Sequence, residues 1–287
     1  MSVKNVENVA RDEALRPGLD DRLAQPSPAR RPPDVLVRTG TRALGPVLLL
    51  LVWTAGSATG LIPHDVLAPP GEVLSTAQRL LSSGDLQQHL LISLRRAVLG
   101  LALGVAAGVG LALLAGLSRV GESLIDANMQ MLRSMPILAL VPLAIIWFGI
   151  GEEIKVVLVA LGVTFPMYLN THAAIRGVDR KYVDLAATVG LGRLALIRRV
   201  VLPGSLPGFF TGLRFAVAIA WLVLVVSEQI NASSGIGFLM TQARSLSQTD
   251  VIVVGLIVYA LLGLTSDTIV RFFERRALSW RSTLTSH

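Results

Sequence analysis

The sequence predicts an all-α integral membrane protein with about six transmembrane helices. Three observations predict it. The 287-residue chain is 52% hydrophobic and only 16% charged, with a mean hydropathy of +0.62, whereas a soluble domain carries about 25% charge. Its apolar residues are gathered into runs near the ~20 residues that a membrane-crossing helix needs. Its basic residues fall almost entirely on alternate links between those runs, as they do in multi-pass membrane proteins.

Residues 1–42 hold eight of the Lys and Arg residues together with Pro26, Pro28, Pro32 and Pro33. Such a polar, proline-bearing stretch cannot bury enough apolar surface to fold alone, and reads as a disordered or surface-lying tail. The first span is expected over residues 43–62. Its small residues Ala55, Gly56 and Ser57 raise the question of signal-peptide cleavage, but a 42-residue polar lead is too long for the charged start of such a peptide. An uncleaved span is therefore expected.

The second span is expected over 90–117. Gly100, Gly104 and Gly108 recur every four residues there, which places them on one helix face where another backbone can approach closely. The third is expected over 124–150, broken near Pro136 and Pro142 because proline lacks a backbone donor. The fourth covers 154–175, the fifth 205–230 and the sixth 251–273. A membrane domain over 43–276 is followed by a short polar tail, 277–287.

Twenty basic residues fall in residues 1–42, the link after the second span (Arg119, Arg133), the segment 176–199 and the C-terminal tail. Only Arg79, Lys155 and Arg244 fall on the other side, and Arg95, Arg96 and Arg214 lie within spans. The asymmetry places both termini and the 176–199 segment in the cytoplasm. It also accounts for the net charge of +7 without a nucleic-acid partner.

The chain has no cysteine, and its four histidines stand without metal-ligand spacing, so neither a metal nor another cofactor is expected. No phosphate-binding G-x-x-x-x-G-K-[ST] loop occurs, so the chain does not hydrolyse ATP itself. No nucleophile–base pair marks it as an enzyme.

The segment 182–203, YVDLAATVGLGRLALIRRVVLP, carries the most information. A short helical pattern from Asp184 to Val189 meets Gly190 and Gly192, which supply a stop because glycine takes the left-handed conformation readily. A second amphipathic run follows, and Pro203 and Pro207 open the fifth span, where a missing N–H costs little. By composition alone, a solvated connection fits the segment equally well.

The segment resembles the cytoplasmic loop of ABC importer permeases, whose pattern is E-A-A-x3-G-x9-I-x-L-P. Asp184 stands at the Glu position, Leu185 and Ala186 at the two Ala positions, Gly190 at the Gly, and Val200, Leu202 and Pro203 at I-x-L-P. Asp for Glu and Val for Ile keep charge or shape. Leu for the first Ala departs from the letter of the pattern but not from its spacing. Further runs resemble the subfamily that imports aliphatic sulfonates, taurine, nitrate and related solutes: residues 132–155, FPMYLNT (165–171), residues 202–216, SSGIGFL (233–239), residues 248–263 and FFERR (272–276).

The resemblance implies a type I ABC importer (MetI-like) permease fold. It implies that the 176–203 loop carries a coupling helix docked on a separate ATPase subunit, present in two copies, with Asp184, Ala186, Ala187, Gly190 and Pro203 at the contact. It implies a second permease copy, as a homodimer, and a periplasmic or lipid-tethered solute-binding protein in the bacterial inner membrane. The external segments 63–89 and 231–250 would be open to that protein. The solute it implies is an aliphatic sulfonate, with taurine, nitrate or a vitamin precursor as alternatives. From another class, an ion-gradient-driven transporter is the rival, although no midplane acid or inverted repeat speaks for it.

Arg214, Trp221 and Glu228 recur every seven residues along the fifth span, and a helix drifts only ~20° over that period. They form one stripe. Either it faces a translocation pathway, as intramembrane charge favours, or Arg214 and Glu228 reach opposite surfaces while Trp221 fills core. Arg133, just before the Pro136 break, either meets an anion on the pathway or marks the end of a cytoplasmic link.

Overall fold

The computed structural model describes residues 35–280, and among them every regular element is a helix. Helix α1 runs Val35–Ala58, α2 Pro70–Ser83, α3 Asp85–Leu117 and α4 Arg119–Ser134. A single 3-10 turn, Ile137–Leu140, leads into α5, Val141–Phe148, and α6 covers Glu152–Arg176. Then come α7, Arg180–Thr188, α8, Arg193–Leu196, α9, Leu202–Asn231, α10, Ile236–Ser245, and α11, Thr249–Ala277.

Among the described residues the chain divides into two compact units, one ending at Trp53 and the other beginning at Thr54. The expected N-terminal tail lies outside the described residues as far as residue 34. From Val35 the backbone is already helical, so the first helix begins eight residues ahead of the apolar run, just past Pro33. The apolar part of α1, Leu44–Ala58, is shorter than a full span.

Among the described residues four segments are long and apolar enough to cross a membrane: α3, α6, the stretch Arg193–Ile230, and α11. A fifth is counted if α4 and the Ile137–Phe148 segment form one span, bent by 91°. Together with the short apolar helix Leu44–Ala58 at the first expected span, they agree with the expectation of about six membrane helices, the third of them broken at Pro136. The bend has a local cause. Met135, preceding Pro136, is held extended at φ −81, ψ 130, as the proline ring demands of its neighbour. Pro142, by contrast, sits in the first turn of α5 and breaks nothing.

The fifth span also starts earlier than expected. From Arg193 the chain stays helical through a π turn, Ile197–Val201, into α9. The N–H of Leu202 reaches back to the carbonyl of Ile197, and the widened turn gives Pro203 room where its ring would meet the carbonyl of residue 199. The amphipathic run and the span are therefore one 38-residue rod.

The centre of the bundle is α3, α6 and α9. The glycines of α3 meet α6 in parallel order: a Cβ at Gly100 would lie 2.6 Å from Val159 Cβ, one at Gly104 2.5 Å from the Ala160 carbonyl oxygen, and one at Gly108 2.6 Å from Met167 Cβ. Only residues without side chains permit that approach, as the four-residue spacing predicts. Helix α9 runs the other way against α6, with Gly208 on Ala174 and Gly212 on Asn170. Leu158, Val163, Met167, Ala216 and Leu224 fill the core between them. Leucines 103, 114, 222, 256, 261 and 264 point outward, a pattern that suits acyl chains and not water.

Candidate functional site

Two regions at opposite ends of the bundle concentrate polar and conformationally special residues. At one end, α7 borders the foot of α9. Asp179 caps it, its carboxylate accepting from the Lys181 N–H at 2.9 Å. Its C-terminus closes as a Schellman motif: the Leu191 N–H reaches the Ala186 carbonyl and the Gly190 N–H the Ala187 carbonyl, both at 3.0 Å. Gly190 has φ +72, the left-handed geometry expected of it. Gly192 corrects the other half of that expectation, since it stands extended at φ −64, ψ 160 as the N-cap of α8. The Arg193 guanidinium donates to the Leu117 carbonyl at 3.1 Å, fastening α8 to the end of α3.

Helix α7 exposes an apolar strip. Tyr182, Leu185 and Val189 are 61%, 62% and 71% accessible. Beside them, an apolar cavity of about 400 Å³ runs between α7 and the foot of α9, with Pro203 and Trp280 on its walls. Asp184, Ala187 and Gly190 lie on the exposed surface, Pro203 is half-buried, and Ala186 is buried against its own chain. Of the two alanines, only Ala187 is open to a partner.

At the other end, where α3, α6 and α10 begin, a buried ion cluster binds five helices together. Glu228 on α9 is 1% exposed. Its carboxylate accepts from Arg96 Nη1 at 2.6 Å, Ser93 Oγ at 2.8 Å, the Gly237 N–H at 2.9 Å and Tyr259 OH at 3.0 Å. Arg96 then makes a two-pronged pair with Glu152, both contacts 2.6 Å, and donates to the Ser234 carbonyl at 2.7 Å. Charge-assisted bonds of this kind are the strong ones, and every guanidinium nitrogen of Arg96 has a carboxylate or serine acceptor. The first turn of α10 supplies part of the cradle, its free N–H groups and dipole favouring a carboxylate. Gly235 stands at φ +113 against the Glu228 carboxylate, where a side chain would clash.

The Arg214–Trp221–Glu228 stripe is real but faces α11. Arg214 Nε pairs with Asp267 at 3.2 Å, Trp221 Nε1 donates to Ser266 Oγ at 3.2 Å, and Tyr259 packs edge-on against the Trp221 ring. Trp221 is only 9% exposed. The seven-residue period located the stripe correctly and could not say what it faced. Arg133 is exposed in the last turn of α4, just before the 91° bend. Lys155, assigned to an external link from sequence, has its side chain buried at the start of α6, where Nζ donates to the Gly151 carbonyl at 2.9 Å. Sequence reading missed Arg96, Ser93, Glu152 and Tyr259 as a set. Their partners lie between 31 and 138 residues away, and the one local signal was a second arginine inside a span. The described residues hold no group of acidic or histidine side chains fit for a metal ion.

Residues 100–279 match the family described as binding-protein-dependent transport system inner membrane component. The chain is 47% identical to a putative aliphatic sulfonates transport permease of Escherichia coli K12, covering 82% of this chain and 89% of that one. It is 40% identical to its counterpart in Bacillus subtilis 168, covering 83% and 86%, and 33% identical to an Escherichia coli taurine transport system permease, covering 85% and 91%. In fold it is similar to an amino acid ABC transporter chain, with a TM-score of 0.55 at 18% identity over 71% of this chain and 96% of that one. The ion-gradient-driven alternative gives way to this relationship. With its helical bundle of membrane-crossing segments and this match over residues 100–279, the chain belongs to the binding-protein-dependent transport system inner membrane components, the permease subunits of ABC importers.

Proposed function

We propose that this permease imports an aliphatic sulfonate, driven by an ATPase subunit that grips α7. The observation that carries the coupling role is the apolar strip of Tyr182, Leu185 and the C-cap Val189 on and at the end of a nine-residue helix too short to lie across a bilayer. Apolar surface of that kind calls for protein cover. Asp184 and Ala187 lie beside the strip, and the Gly190 turn and the unbroken rod from Arg193 pass any push on α7 into α9. The solute rests on the sulfonate relatives, with taurine the second reading.

The complete importer then contains two copies of this chain, two ATPase subunits and a solute-binding protein, with both termini and α7 on the cytoplasmic side. Support for the orientation is the concentration of basic residues at the α7 end. Arg133 and Arg214 are the pathway residues we retain, as accessible guanidinium groups matched to a sulfonate. Trp221 and Glu228 support the wall from behind. The test is reconstitution with the ATPase and binding protein in proteoliposomes. ATP-dependent uptake of an alkanesulfonate in preference to taurine or nitrate supports the reading; uptake of another solute, or none without an ion gradient, overturns it.

A further inference from the structure

Beside the ion cluster a second cavity, of about 720 Å³, opens between α3 and α6. Leu99 and Leu103 follow Arg95 one and two turns along α3, and Val156 and Val157 follow Glu153 one turn along α6; all line the cavity. Arg95 and Glu153 are exposed at its rim, and neither forms an ion pair or hydrogen bond among the described residues. Their sequence neighbours Arg96 and Glu152 line the same cavity and are consumed by each other. Leu99 and Leu103 on its wall are 44% and 56% exposed, so the groove opens on the outer surface of the bundle.

We propose that this groove holds a zwitterionic phospholipid, phosphatidylethanolamine. Charge at the rim and apolar wall toward the middle of the helices is the polarity order of a lipid in one leaflet. Arg95 supplies a fork of donors for the phosphate, and Glu153 accepts from the primary ammonium. Leu99, Leu103, Val156 and Val157 cover one acyl chain. With Arg96 and Glu152 neutralising each other, the rim offers, among the described residues, one free cation and one free carboxylate, the charge pattern of a zwitterionic headgroup.

Native mass spectrometry of the detergent-purified permease–ATPase complex tests this, with phosphatidylethanolamine, phosphatidylcholine or phosphatidylglycerol added after delipidation. The expected result is one phosphatidylethanolamine retained per permease chain. Arg95→Gln weakens retention of every phospholipid about tenfold, the worth of one charged hydrogen bond. Glu153→Gln weakens phosphatidylethanolamine by a similar factor and leaves phosphatidylcholine unchanged. Both variants keep the wild-type melting temperature, because neither side chain has a protein partner. Equal lipid retention by both variants and wild type, or displacement of the retained lipid by hexanesulfonate, overturns the proposal.

Discussion

Arg96 Nη1 lies 2.6 Å from Glu228 Oε1, with the two side chains 3% and 0% exposed. A sealed pair of this kind resists loss of either partner, because the survivor is left charged and dry. Arg96→Ala is expected to cost about 3–5 kcal/mol and to lower the melting temperature of the purified complex sharply. The double variant Arg96→Met with Glu228→Leu is expected to recover much of that loss. A single variant as stable as wild type would show that the pair holds nothing together.

Gly104 and Gly110 lie on the same helix in opposite circumstances. A Cβ at Gly104 meets the Ala160 carbonyl at 2.5 Å, whereas nothing lies within 4 Å of one at Gly110. Gly104→Ala is expected to force α3 from α6 at a cost of about 1–3 kcal/mol. Gly110→Ala is expected to be neutral or to stabilise by about 0.5–1 kcal/mol. Thermal unfolding of the two variants side by side checks the contrast.

Gly190 and Gly192 form a second contrast, at the α7 end of the bundle. Gly190→Val places a branched side chain at φ +72, at a cost of about 1–2 kcal/mol, and unseats the Schellman turn. ATP-dependent uptake is expected to fall severalfold while membrane insertion persists. Gly192→Ala, at φ −64, is expected to transport normally. Uptake by reconstituted vesicles separates the two.

Trp221 packs between α9 and α11 rather than lining an open surface. Trp221→Phe is expected to keep solute KM and lose a little stability with the Ser266 bond; Trp221→Ala is expected to cost about 3–5 kcal/mol. Arg214→Gln, by contrast, is expected to raise KM for the sulfonate. Kinetics of uptake alongside thermal unfolding read both effects.

The sequence made the bundle legible where a local rule applies. Gly100, Gly104 and Gly108 announced close packing because four-residue spacing is a property of one helix. Gly190 announced a turn because left-handed geometry is a property of one residue. The bend at Pro136 was legible as a break but not as a right angle, since proline fixes its neighbour's dihedrals and leaves the direction to tertiary packing. Glu228 was found as an intramembrane acid, yet its partner Arg96 stands 132 residues away, and no periodicity links them. The π turn at Ile197–Val201 was hidden because Pro203 reads as a helix start until the preceding turn is seen to widen around it.

The central claim is that the apolar strip of α7 is the seat of the ATPase and drives α9. Leu185→Glu places a charge in the middle of that strip, on a residue 62% exposed at the mouth of the apolar cavity. ATP-dependent sulfonate uptake by the reconstituted complex measures the result. Loss of uptake with loss of ATPase co-purification, from a permease that still melts at the wild-type temperature, is the expected outcome. Wild-type uptake from that variant would contradict the account.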